Sequence, residues 1–114
     1  MSSVPSYRIE LKTPDHEYVI SVPAGENIWD AAQKNGIVLP AICHQGRCLT
    51  CAGRLIGTGA VDQSAAESYF PQDRNAGFVL LCTAKPGSDL RIITHQEDEM
   101  RRHRLAAGLP APYA

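Results

Sequence analysis

The residues best suited to chemistry in this chain are its four cysteines. Cys43, Cys48 and Cys51 fall in one short run, Cys43-His44-Gln45-Gly46-Arg47-Cys48-Leu49-Thr50-Cys51. Cys82 ends a distant apolar run, Phe78-Val79-Leu80-Leu81-Cys82. Thiolates are soft ligands. Three from one loop and a fourth from elsewhere suit a compact cofactor enclosed by sulfur better than they suit two disulfides.

A cluster of two irons and two sulfides needs four thiolates, two per iron, and a C-x4-C-x2-C run followed by a remote cysteine is a spacing that supplies them. The C-x2-C-x2-C-x3-C run of four-iron clusters is absent. A site with two histidine ligands is also absent, because His44 is adjacent to Cys43. A structural zinc module is the alternative, since zinc also accepts four thiolates, but such sites favour two close C-x2-C pairs and this chain has one.

The elements that must position these thiols can be read on either side of them. Tyr7–Lys12 alternates apolar and charged residues, and Glu17–Val22 is rich in branched and aromatic side chains. With Pro14, Asp15 and His16 between them, the two predict an antiparallel hairpin. Asn27–Asn35, ended by Gly36, predicts a helix with Ile28, Trp29, Ala31 and Ala32 inward. Gly46 and Gly53 are expected to let the cysteine loop bend. Ala52–Ile56 predicts a short strand, 57–59 a turn, and 62–75 a polar stretch with one or two helical turns. The unbroken apolar run 78–82 predicts a central strand covered on both faces. Pro86-Gly87 predicts a turn, and Leu90–Thr94 a last strand closing the sheet. From Glu97, acidic residues precede Arg101, Arg102, His103 and Arg104, the polarity of a helix dipole. Glu97 with Arg101 and Asp98 with Arg102 have i,i+4 spacing, and Gly108 stands beyond as a stop.

With 114 residues, one domain is expected. Eleven Lys and Arg against twelve Asp and Glu give a net charge of −1, which argues against nucleic-acid binding through phosphate neutralisation. No apolar run approaches the roughly 20 residues of a membrane span, so no membrane insertion is expected. The Met1-Ser2-Ser3-Val4-Pro5-Ser6 start has neither a basic flank nor an apolar segment, so no export signal is expected. Four cysteines in that setting point to metal or redox chemistry.

At the cysteines the chain resembles a plant-type 2Fe-2S ferredoxin of photosynthetic organisms. The likeness includes Leu39-Pro40, Cys51-Ala52-Gly53, Val61-Asp62-Gln63-Ser64, Ala76-Gly77 and Thr94-His95 with its acidic followers. The residues from Met100 onward exceed the usual end and resemble the C-terminally extended, ferredoxin C type subgroup. The resemblance implies an α+β, β-grasp (ubiquitin-like roll) fold: a mixed sheet with one main helix packed on it, plus here a short tail helix. It implies a 2Fe-2S ferredoxin domain over 1–99 with an extension over 100–114. It further implies one 2Fe-2S cluster held by Cys43, Cys48, Cys51 and Cys82, and the role of a soluble one-electron carrier rather than an enzyme. The expected partners are redox proteins such as photosystem I and ferredoxin-NADP reductase, met as a monomer. The expected compartment is the cytoplasm of a cyanobacterial-type cell, or the chloroplast stroma if a transit peptide has been removed. A regulatory protein using the cluster to sense iron or redox state is the alternative function.

Some positions depart from the common carrier, which is strongly acidic where this chain is nearly neutral. Arg47 and Leu49 stand where small and hydroxyl residues are usual. Ser68 falls at the family's aromatic docking position, with Tyr69 and Phe70 beside it, and Glu97 matches its acidic docking residue. Arg47, Tyr69, Phe70 and Glu97 are accordingly the expected docking residues.

Overall fold

The computed structural model describes residues 5–40, 49–66 and 69–111. Cys43, His44, Gln45, Arg47, Cys48 and Ser68 lie outside the described residues.

The predicted hairpin forms from β1 (Ser6–Lys12) and β2 (Glu17–Pro23), with Ile9 opposite Ile20 and Tyr7 opposite Val22. Alternation puts Ile9, Leu11, Ile20 and Val22 on one face, and all four are buried. Thr13 and His16 close the turn reciprocally: the Thr13 amide donates to the His16 carbonyl at 2.9 Å, and the His16 amide donates to the Thr13 hydroxyl at 3.0 Å. α1 (Ile28–Lys34) buries Ile28, Ala31 and Ala32, and Gly36 ends it at φ +76°. Trp29, expected inward, is only half-buried. Its indole N–H donates to the Leu39 carbonyl at 3.0 Å, which keeps the ring at the margin of the core.

Next come β3 (Ala52–Leu55), β4 (Val61–Asp62), α2 (Pro71–Asn75), β5 (Phe78–Leu80), β6 (Lys85–Pro86), β7 (Leu90–Ile93) and α3 (Glu97–Ala106). The main sheet runs β2-β1-β7-β3-β5, with β1 and β7 parallel and the other neighbours antiparallel, while β4 and β6 pair apart. This mixed sheet, with α1 against it, is a β-grasp. Among the described residues no helix is long and apolar enough to cross a membrane.

Three strand-level expectations need correction. β5 is an edge strand and not a central one, although Phe78, Val79 and Leu80 are all buried. Its apolar run reflects cover on both faces, and side chains replace the missing neighbour strand at its edge. β7 is the middle strand and does not close the sheet, because its parallel pairing with β1 inserts it between β1 and β3. Pro86, expected in a turn, lies in β6 opposite Val61.

Gly53 serves close packing inside β3 and not a bend. A Cβ there would meet Ile92 Cγ2 at 2.8 Å and the Ile93 carbonyl at 3.2 Å.

α3, at ten residues, is longer than α1 at seven. Glu97 pairs with Arg101 at 3.1 Å as its spacing predicts, but Arg102 pairs with Glu99, one position nearer than the expected Asp98. Met100 and Arg104 are fully buried, and Gly108 lies just past the helix at φ +72°.

Candidate iron-sulfur centre

Cys51 immediately precedes β3, and Cys82 stands two residues beyond β5. Antiparallel pairing of these strands, with Ala52 opposite Leu80, brings the two cysteines together. The Leu81 amide donates to the Cys51 carbonyl at 3.2 Å, and the two Sγ atoms lie 3.1 Å apart. That separation exceeds the roughly 2.05 Å of a disulfide. It is somewhat less than the roughly 3.8 Å between two thiolates on one tetrahedral metal with bonds of about 2.3 Å. Both cysteines are buried, at 2% and 3% exposure, so two thiolates here need a cation between them to offset desolvation and mutual repulsion.

The surroundings fit a sulfur-rich group. Leu49 is fully buried, and the Thr50 hydroxyl is buried with no hydrogen-bond partner among the described residues. An unanswered hydroxyl one residue from Cys51 is a donor suited to an acceptor such as sulfur. The expectation that Leu49 merely lacks a hydroxyl understated it, since its side chain is part of the core.

Cys82 is held from several directions. The N–H groups of Ile28 and Trp29, which open α1, donate to the carbonyls of Ala84 at 2.8 Å and Leu81 at 3.0 Å. Asn27, at the N-cap, makes no side-chain capping bond, so these carbonyls of the Cys82 segment answer two amides that a helix start otherwise leaves unpaired. On the open edge of β5, the Gln63 carbonyl oxygen accepts the Leu80 N–H at 2.6 Å. Its amide nitrogen donates to the Leu80 carbonyl at 3.4 Å and to the Thr83 hydroxyl at 3.3 Å.

The expected docking residues occupy two places. Glu97 shares a cleft of about 230 Å³ with Pro40, Thr50, His95 and Asp98, which puts it beside Thr50, one residue from Cys51. Tyr69 and Phe70 share a separate groove with Gln63 and Arg74. The Tyr69 hydroxyl donates to the Phe78 carbonyl at 2.6 Å, and burial pushes its phenol up to about 12. The Phe70 ring lies 4.9 Å from the Arg104 guanidinium. Cys43, Cys48 and Arg47 lie outside the described residues.

The sequence placed Thr50 in the cysteine run and Gln63 and His95 in motifs, but assigned none of the three side chains a role beside Cys51 or Cys82. A signal for Gln63 existed: it is two residues past the inward Val61 and so shares its face. His95 adopts φ +58°, and its Nδ1 lies 2.7 Å from the Thr94 hydroxyl, a backbone state that no sequence pattern marked.

A β-grasp domain converging buried cysteines on one point defines an iron-sulfur protein, and comparison with known proteins agrees. Residues 12–87 match the 2Fe-2S iron-sulfur cluster binding domain. The chain is 39% identical over 105 residues to Ferredoxin-2 of Synechococcus sp., covering 92% of this chain and 97% of that one, so the likeness reaches into α3. It is 32% identical over 109 residues to the chloroplastic Ferredoxin C 2 of Arabidopsis thaliana, covering 86% of this chain and 60% of that one. Among solved structures, pectocin M2 superposes with a TM-score of 0.73 at 28% identity, and the chain spans 91% of itself and 40% of that longer protein.

The chain therefore belongs to the plant-type 2Fe-2S ferredoxins. It carries one 2Fe-2S cluster and transfers electrons with other redox proteins rather than catalysing a reaction. The sensor and zinc alternatives are not favoured.

Proposed function

We propose that Cys43, Cys48, Cys51 and Cys82 are the four cluster ligands, with Cys51 and Cys82 serving one iron and Cys43 and Cys48 the other. The observation carrying this reading is the approach of two buried sulfurs to 3.1 Å from separate strands. The bound cluster supplies one-electron redox chemistry. The chain holds it, shields it from water through Leu49, Leu80 and Leu81, and leaves the Glu97 cleft beside Thr50 for contact.

Residues 1–99 form the electron-transfer domain in this reading, and 100–114 an extension that biases partner choice. The donor is a low-potential one such as photosystem I, and the acceptors are ferredoxin-NADP reductase or other ferredoxin-dependent enzymes. The chain meets them as a monomer, in a cyanobacterial-type cytoplasm or a chloroplast stroma. Arg47, Tyr69, Phe70 and Glu97 contribute to docking. For Glu97, support comes from its position beside Thr50; for Tyr69 and Phe70, from the groove they share with Gln63.

Serine replacement tests the ligands one at a time. Each of Cys43→Ser, Cys48→Ser, Cys51→Ser and Cys82→Ser is expected to lose or shift the visible charge-transfer bands and the low-temperature EPR signal of reduced protein. A variant with the wild-type spectrum removes that residue from the ligand set.

A further inference from the structure

We infer that Gln63 is a positioning residue for Cys82, acting as a one-residue substitute for a neighbouring strand beyond β5, which the sheet lacks among the described residues. The inference rests on the reading of Cys82 as a cluster ligand.

Among the described residues β5 ends the sheet, and Cys82 follows it by two residues, so the strand that presents this thiol has an edge without a strand partner there. A buried edge without partners is unfavourable, because each unanswered amide or carbonyl has lost its water. Gln63 is 4% exposed and answers Leu80 on both sides: it accepts the Leu80 N–H at 2.6 Å and donates to the Leu80 carbonyl at 3.4 Å. A neighbouring strand makes the same two-way contact with its peptide group. The donor and acceptor ends of the amide are fixed by this pairing, since the Leu80 N–H requires an oxygen.

The second Nε2 hydrogen reaches the Thr83 hydroxyl at 3.3 Å, and Thr83 bonds back to the Leu80 carbonyl through its hydroxyl at 3.3 Å and its amide at 3.1 Å. Leu80, Thr83 and Gln63 thus form a closed circuit around the turn that displays Cys82. Thr83 is itself 5% exposed, so the circuit is dry. Every bond in it joins neutral groups, which fixes the turn without adding a formal charge beside the thiolates. Removing Gln63 frees this turn and admits water to Cys82, and water favours the more negative, reduced cluster.

The test uses the cluster-loaded full chain with Gln63→Leu, Thr83→Val and a control, Ile20→Val, in the core on the opposite edge strand. Midpoint potential, the EPR spectrum of reduced protein and exchange of the Leu80 amide are measured together with Tm. Gln63→Leu is expected to raise the potential, alter the EPR line shape and speed exchange at Leu80. Thr83→Val is expected to do the same more weakly, and it supplies the answer if Gln63→Leu does not load. Ile20→Val is expected to lower Tm without moving potential or line shape. Unchanged potential and line shape in Gln63→Leu or, failing its loading, in Thr83→Val overturns the inference. Cys82→Ser separates the two levels: a wild-type spectrum there removes the ligand reading itself, whereas a perturbed one alongside an unmoved Gln63→Leu removes only the role of Gln63.

Discussion

The two ends of β5 solve one problem with different chemistry. At the Phe78 end, the Tyr69 hydroxyl caps the strand's first carbonyl, and the His103 ring lies 5.2 Å from the Phe78 ring. Nearby, a fully buried ion pair joins α3 to α2: Arg104 Nη2 meets Asp73 Oδ2 at 2.8 Å, and Arg104 Nε meets Asp73 Oδ1 at 3.2 Å. At the Leu80 end, beside the cysteines, the edge is closed by the uncharged amide of Gln63. The contrast follows from Coulomb's law. A fixed charge about 7 Å from the cluster is worth roughly 0.6 to 2.4 kcal/mol at effective dielectric constants of about 20 to 80, on the order of 25 to 100 mV for one electron. An ion pair anchors α3 at one end of β5, and a neutral amide closes the strand edge at the other, beside Cys82.

The largest effect is expected at the ionic end. Asp73→Asn leaves the buried Arg104 guanidinium without its bidentate carboxylate and is expected to destabilise the fold by about 3 to 5 kcal/mol. Denaturant unfolding measures that loss, while the reduction potential of the loaded protein is expected to stay in place. A large potential shift there would contradict the division of labour. Replacing both partners, as Asp73→Leu with Arg104→Met, is expected to recover most of the stability, because an apolar pair leaves no unmatched buried charge.

Gln63→Leu is the matching change at the neutral end. It strands the buried Leu80 N–H and is expected to cost about 1 to 3 kcal/mol, together with the rise in potential described above. Equal potentials in Asp73→Asn and Gln63→Leu would erase the distinction between the two ends.

Arg47→Ala probes the cysteine loop directly. It is expected to lower the potential by roughly 25 to 100 mV, because a nearby cation favours the reduced cluster. Voltammetry showing no change or a rise refutes this.

The smallest effect is expected at Tyr69. Tyr69→Phe removes one hydrogen bond to Phe78, about 0.5 to 1.5 kcal/mol. Burial raises the phenol from 10.0 to about 12 in the folded protein, so the neutral form is favoured by folding. Its contribution is fully present below about pH 10 and is lost as pH rises toward 12. Wild-type stability should therefore fall faster than that of Tyr69→Phe across that window.

Much of this arrangement was legible in the chain. Alternation in β1 and β2 marked the inward Ile9, Leu11, Ile20 and Val22. Gly36 and Gly108 marked helix ends, and the cysteine spacing marked the cofactor. The edge position of β5 was hidden because an apolar run reports cover of both faces and carries no information on hydrogen-bonding neighbours. Side chains distant in sequence, Gln63 and Tyr69, supply those bonds. Arg104 was hidden for a related reason. A helix dense in charge reads as solvated, and only the fold brings Asp73 to its buried face. The choice of Glu99 over Asp98 by Arg102 was equally out of reach, since i,i+3 and i,i+4 neighbours both lie within range on a helix.

The most direct test of the whole account is an EPR-monitored redox titration of the purified protein with iron and zinc determined on the same sample. Two irons per chain are expected, with one unpaired electron per chain appearing on reduction near the roughly −400 mV of plant-type clusters. A colourless, zinc-loaded protein with no reducible signal after iron-replete expression would contradict it.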